Sequence, residues 1–196
     1  MSNAPVPTLP TLPTLPLATP GRVLRAWQAA DAPDLARHAN DEAVWRNMSE
    51  GFPHPYTLDI ARHWVERGHV DFGGDNWAIS VDGVAIGGCG VHTGSGGLRC
   101  NAEIGYWLGR SHWGAGIGTE VVRALTERAF ADLAITRVFA PVHAYNLASV
   151  RVLAQNGFEQ EALLRCSALK AGTVIDRVLM ARLRPGAVAG VPALPA

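Results

Sequence analysis

Apolar residues recur in two distinct rhythms along the 196-residue chain, and their order predicts a mixed α/β domain. Alternating or continuous apolar runs mark strands at 23–27, 77–81, 84–92, 101–108, 137–142, 158–168 and 174–183. The two-residue turn Asp82-Gly83 joins the second and third of these as a hairpin. From Gly116 to about Asp132 the period lengthens. There Ile117, Val121, Val122, Leu125, Ala129 and Leu133 fall at helical spacing, with Glu120, Arg123 and Glu127 on the other face. Shorter helices are predicted from Asp31 to about Asn40, as a turn within Asp41 to Met48, from Thr57 or Asp59 to roughly His69, and from Leu147 to Gln155, where Asn156-Gly157 stops the last.

Consecutive strands with short connections pair antiparallel, whereas strand 101–108, helix 116–132 and strand 137–142 form a crossover whose two strands lie parallel. The expected fold class is therefore α/β, an α+β mixed sheet of about seven mostly antiparallel strands with one parallel pair, flanked by helices. Residues 8–16 read Thr-Leu-Pro three times, and proline at every third position favours polyproline II over helix or sheet. Residues 1–20 are accordingly expected to form a flexible tail, 21–184 one domain, and the Pro-, Gly-, Ala- and Val-rich residues 185–196 a second flexible tail.

Lys plus Arg and Asp plus Glu both number 17, so the strong positive field of a nonspecific nucleic-acid or anionic-membrane binder is missing. No nucleic-acid or membrane partner is expected. Apolar runs break before the roughly 18 residues of a spanning helix, and the proline-rich start opposes a signal peptide. Cys89, Cys100 and Cys166, odd in number and widely spaced, read as reduced thiols of a cytoplasmic protein. Cys89 with His92 lacks a second close pair, and His38, His54, His63, His69, His92, His112 and His143 offer none, so no metal is assigned.

The turn Trp113-Gly114-Ala115-Gly116-Ile117-Gly118-Thr119 stands where a crossover strand hands over to its helix, the place where α/β sheets bind ligands. Its glycines leave backbone N–H groups bare beside the positive end of the helix dipole, a cradle for a phosphate or pyrophosphate. A flexible loop eased by glycine is the alternative. A nucleotide-triphosphate loop would need a Gly-Lys-Ser/Thr that is missing, and a dinucleotide fingerprint needs Gly-x-Gly-x-x-Gly after a buried parallel first strand.

Glu103-Ile-Gly-Tyr-Trp-Leu followed by His112-Trp-Gly-Ala-Gly-Ile-Gly-Thr-Glu resembles the strand and pyrophosphate loop of GNAT acetyltransferases, in particular their RimJ/RimL-like branch. Asn146-Leu-Ala-Ser149, Asn156-Gly157-Phe158 after Leu153, and Gly172 with Asp176 extend the likeness over roughly residues 22–184. Trp113 stands where the wider superfamily has Gln or Arg, as it does in that branch. The resemblance implies a GNAT-like fold, acetyl-CoA as cosubstrate and an amine acceptor, and a homodimer is compatible with it. It places the cosubstrate against Tyr106, Trp107 and Leu108 of the strand, against Trp113, Gly114, Ala115, Gly116, Ile117, Gly118 and Thr119 of the turn, and against Asn146 and Ser149.

An amine attacks a thioester only as the neutral base, so a site must take up its proton and stabilise charge on the thioester oxygen and departing sulfur. Glu103 lies about five residues before the end of its strand, roughly 16 Å at about 3.3 Å per residue, a span that suits a pantetheine arm. The resemblance makes Glu103 the general base, acting directly or through water. A salt-bridged or exposed strand carboxylate is its structural alternative. Asn146 and Ser149, three apart at a helix start, can share one face, and Asn146 is also a good cap. The resemblance gives Asn146 a contact to the CoA chain and Ser149 the role of acid to the leaving sulfur. Leu153 occupies the place of the tyrosine acid found in other members, and Tyr145 is a weaker substitute. Trp45, Met48, Phe52, Tyr56 and Trp64 lie where the family builds its acceptor site, although core packing suits most of them. A noncatalytic acyl-CoA-binding module and a nucleotide-binding protein are the rival classes.

Overall fold

The computed structural model describes residues 12–132 and 134–187. Their strands form one eight-stranded sheet in the order β1-β2-β3-β4-β5-β6-β8-β7. The chain runs β1 (Leu15–Pro16), β2 (Arg22–Arg25), α1 (Ala32–Ala39), α2 (Glu42–Trp45), α3 (Leu58–His63) and α4 (His69–Asp71). It continues through β3 (Asp75–Val81), β4 (Val84–Thr93), β5 (Asn101–Leu108), α5 (Ile117–Asp132), β6 (Arg137–His143), α6 (Leu147–Gln155), β7 (Glu159–Lys170) and β8 (Thr173–Leu183). A π-helical turn, Trp64–Gly68, links α3 to α4, so the helix expected over 57–69 is present and ends slightly later.

Local chemistry accounts for most of these boundaries. Asp82 and Gly83 take positive φ (48° and 87°), as a two-residue hairpin turn requires, and β3 and β4 pair antiparallel around them. Asp41 caps α2 by accepting from the N–H groups of Ala43 and Val44, and Thr57 caps α3 through the N–H of Ile60. The single parallel pairing is β5 with β6, joined by α5 as the crossover rule demands.

The sheet separates two cores. On one face α5 and α6 cover Leu24, Trp77, Ile79, Ile104, Val138, Val178 and Met180 with Val121, Val122, Leu125 and Leu153. On the other, α1 and α3 pack Leu35, Ala39, Tyr56 and Ala61 with Trp27 and Ala78. Phe52, Trp64 and Trp107 join that second core from its rim. Strand alternation places the side chains of Ala102, Ile104 and Tyr106 toward α5 and α6, and those of Glu103, Gly105 and Trp107 toward the α1 side.

The proline-rich start departs from expectation. Residues 12–20 belong to the fold: Leu15 and Pro16 pair with Leu24 and Val23, Leu17 is buried, and the Trp77 indole donates to the Pro13 carbonyl at 3.1 Å. β1 is an edge strand, where a proline costs the ladder no hydrogen bond if its missing N–H would have faced outward. It is also the eighth strand, one beyond the seven that the apolar pattern marked. The rest of the expected N-terminal tail, most of the expected C-terminal tail and Leu133 lie outside the described residues. No helix among the described residues is long and apolar enough to cross a membrane.

Candidate active site

β5 and β6 pair at only three positions, Asn101 with Arg137, Ala102 with Val138 and Glu103 with Phe139. Beyond them β5 stays paired with β4 as far as Leu108, and β6 with β8 as far as His143. Each strand is therefore bonded on its outer edge alone, and a wedge opens between Gly105–Leu108 and Ala140–His143. Unpaired strand edges of this kind bind an extended, amide-bearing chain through main-chain hydrogen bonds.

The glycine-rich turn closes the wide end of the wedge. Gly114 and Gly116 take φ of 75° and 76°, a left-handed conformation in which a side chain is strained even though a Cβ would meet nothing there. Gly118 differs, because it already lies within α5 and a Cβ would touch Tyr106 and Val152 at ordinary contact distance. The N–H groups of Gly114, Ala115 and Gly116 meet no backbone acceptor among the described residues, and they stand before the N-terminus of the 16-residue α5. Both the unpaired N–H groups and the helix dipole suit this turn to an anion. The Trp113 side chain is half-exposed, and its indole N–H is tied to the Leu108 carbonyl at 2.8 Å. Trp107 and Leu108 pack into the two cores, so their main chain is what they offer to the wedge.

The start of β2 and the segment before it brace this turn, a role for which the sequence carried no signal. Arg22 donates to the Ala115 carbonyl (3.2 Å) and to Glu120 in the first turn of α5 (2.9 Å). Thr19 adds its hydroxyl (2.6 Å) and its backbone N–H (3.3 Å) to the same carboxylate. Burial alone would raise the Glu120 carboxyl, but the Thr19 hydrogen bonds and the Arg22 guanidinium outweigh it and lower the pKa. At the other end of the turn, Thr119 bonds Gln155 through its hydroxyl (3.1 Å) and receives the Asn156 side chain at its carbonyl (3.2 Å), which joins α5 to α6.

Ser149 and Tyr106 meet beneath the wedge, with their hydroxyl oxygens 3.0 Å apart. The Asn146 side chain caps α6 by accepting from the Ser149 N–H at 3.2 Å, so the cap and the serine are placed together. Burial pushes the Tyr106 phenol up to about 12, despite its hydrogen bond to Ser149, which keeps it a donor at neutral pH. Tyr145 is committed elsewhere. Its hydroxyl donates to the Arg46 carbonyl and bonds His143 Nδ1 at 2.9 Å.

Glu103 stands on the opposite face, at the point where β5 and β6 part. Its carboxylate is solvent-exposed and hydrogen-bonds no described residue, which excludes the salt-bridged alternative and fits both an exposed strand carboxylate and a base. Partial desolvation still raises its pKa, while the Arg177 guanidinium pulls it down. A carboxylate with a raised pKa and free lone pairs is equipped to take up a proton. Glu103 and Ser149 thus flank the wedge from its two faces.

Near His143, the structure gathers a further cluster whose cation, Lys170, the sequence did not single out. Lys170 is buried, with Nζ 4.0 Å from the centroid of the Trp45 ring and 3.2 Å from the Ser49 carbonyl. Trp45 stacks on His54 with ring centroids 5.0 Å apart, and Glu50 accepts from the Ala171 N–H. The α2–α3 connection therefore clasps the β7–β8 turn. Of the aromatic residues in that region, Phe52, Tyr56 and Trp64 pack in the core, and Trp45 lies between His54 and Lys170. Among the described residues, no three His, Cys, Asp or Glu side chains gather to hold a metal ion.

Residues 22–159 match the family model described as an acetyltransferase (GNAT) domain, and the chain belongs to that family. An uncharacterized N-acetyltransferase of Bacillus licheniformis is 39% identical over 83 residues, which cover 42% of this chain and 47% of the relative. The match thus spans about half the length of that curated relative. RimJ of Mycobacterium smegmatis, solved in complex with CoA-disulfide, superposes with a TM-score of 0.77 at 26% identity, over 88% of this chain and 87% of that one. RimL, a ribosomal L7/L12 α-N-protein acetyltransferase solved with coenzyme A, shares the fold at 22% identity and a TM-score of 0.75, over 87% of this chain and 98% of that one.

Proposed function

We propose that the chain transfers the acetyl group of acetyl-CoA to a primary amine, a protein N-terminal α-amine or a small-molecule amine, by direct attack on the thioester. The observation that carries this reading is the wedge between β5 and β6, with an anion cradle at its wide end and, at its apex, a carboxylate that hydrogen-bonds no described residue.

In this reading the pyrophosphate lies on the N–H groups of Gly114 to Gly118, and the pantetheine arm runs along the β5 edge past Tyr106 to Leu108. Glu103 takes the proton of the attacking amine, directly or through one water. As the carbon–sulfur bond breaks, Ser149 gives its proton to the sulfur and takes one from Tyr106, 3.0 Å away; Tyr106 is then reprotonated from solvent while Glu103 releases the amine's proton to it. An α-amine with a pKa near 8 is partly neutral at cellular pH, while a lysine near 10.4 is almost fully charged, so the α-amine asks less of Glu103. The CoA-bound relatives support the choice of cosubstrate.

The test is a mass-spectrometric screen of peptides, polyamines, amino acids and aminoglycosides with acetyl-CoA. An acetyl-CoA-dependent gain of one acetyl group on an amine is expected. Tight acetyl-CoA binding with no acetylated product across the panel would point instead to a noncatalytic acyl-CoA module.

A further inference from the structure

Arg177 occupies an unusual position on the acceptor side. The pairings Glu103–Phe139, Pro141–Leu179 and His143–Arg177 put all six residues on one face of the sheet, the face away from α5 and α6. Phe139, Pro141 and Leu179 form a partly exposed apolar floor, with the Glu103 carboxylate at one end and the Arg177 guanidinium at the other. The two do not form an ion pair, yet the guanidinium is near enough to lower the carboxyl's pKa.

The guanidinium is held from behind. β7 bulges against β8 between Leu164 and Ala168, so Ser167 is carried to Arg177 Nε at 3.1 Å. Ser167 in turn donates its hydroxyl to the Leu164 carbonyl at 2.8 Å. This fixes the guanidinium through one nitrogen, while Nη1 and Nη2 bond no described residue. A half-buried guanidinium with two open nitrogens, oriented by its own bulge, is built to receive a planar anion. The nearby cation, Lys170, is already spent on Trp45 and the Ser49 carbonyl, and His143 on Tyr145.

Building on the acetyl-transfer reading, we infer that the acceptor is an anionic amine, with a carboxylate a few bonds from the reacting nitrogen, and that Arg177 binds this anion while Glu103 faces the amine. Arg177 is then the specificity-determining residue of the acceptor site. A free amino acid and a peptide whose N-terminal residues carry a side-chain carboxylate share this chemistry.

The experiment compares kcat/KM for matched acceptors with the anion present or masked. One arm uses amino acids against their amides, and the other uses short peptides with Asp or Asn at the second position. The wild-type protein is expected to prefer the anionic member of at least one arm by about 10- to 100-fold, and the arm that discriminates identifies the source of the anion. Arg177→Gln should erase that preference chiefly through KM, with Arg177→Lys restoring part of it, and melting curves of both variants establish that they fold. Equal use of both members by the wild-type protein, or a preference that survives in Arg177→Gln, overturns the inference and leaves acetyl transfer standing. Turnover of no acceptor at all overturns both.

Discussion

The hydroxyl oxygens of Tyr106 and Ser149, 43 residues apart in the chain, lie 3.0 Å from each other where β5 passes beneath the start of α6. In the proposed mechanism this contact gives Ser149, at the N-terminus of α6, a proton source. Ser149→Ala should lower kcat by about 100-fold if its proton goes to the departing sulfur. Tyr106→Phe should cost about tenfold through loss of one hydrogen bond, and the double variant should lose little beyond Ser149→Ala. Steady-state kinetics with an amine acceptor decide it; additive losses would mean that the two hydroxyls act separately.

The pH dependence of kcat/KM should report Glu103. Burial raises its carboxyl above the ordinary 4.5, so the acidic limb of the profile should lie above that value. Arg177 lowers the same carboxyl, so Arg177→Gln should move the limb to higher pH. A limb that does not respond to Arg177 would assign it to another group.

The cradle glycines should differ in their tolerance of a side chain. Gly114→Ala and Gly116→Ala each impose a left-handed alanine, a strain of about 1–2 kcal/mol, and should weaken acetyl-CoA binding by roughly tenfold as the turn shifts. Gly118→Ala, in ordinary helical backbone with only van der Waals neighbours, should be milder. Calorimetric titration with acetyl-CoA separates the three; an equal loss at all of them would show that conformation is not what these positions share.

The segment before β2 should contribute to stability. Deleting residues 1–20 removes buried Leu17, the β1 pairing and the Thr19 bonds to Glu120. Burial of one leucine is worth about 1.5–3 kcal/mol, which corresponds to a fall in Tm of roughly 5–10 °C in a chain of this size. The sign of the Glu120 contribution follows from its lowered pKa. Its share of stability is present above the ordinary carboxylate range and is lost as pH falls through the lowered value. Arg22→Ala should therefore destabilise the protein more at pH 7 than at pH 3 in thermal melts.

Much of this was legible from apolar spacing and glycine placement, and the exceptions have physical causes. The 3.6-residue stripe of α5 and the alternation of β5 bring the turn and Glu103 to one site, because period and handedness leave the crossover one arrangement. β1 was hidden because proline opposes sheet in general but not at an edge, and its pairing depends on Leu24 and Val23 rather than on its own composition. Arg177 was silent for a different reason. Its orientation depends on a bulge in which Cys166 takes φ of 50°, a conformation that no glycine or asparagine announces. The Tyr145 contact with the Arg46 carbonyl, 99 residues away, likewise arises only from the packing of the α2–α3 connection on the β6–α6 connection.

In the proposed reaction, acetyl-CoA held in the β5–β6 wedge is attacked by an amine whose proton passes to Glu103. Measuring acetyl-CoA affinity and kcat side by side in Glu103→Gln tests it most directly. The account predicts an acetyl-CoA Kd within about twofold of the wild-type value and a kcat lower by about 100-fold or more. Full retention of kcat in Glu103→Gln would contradict it.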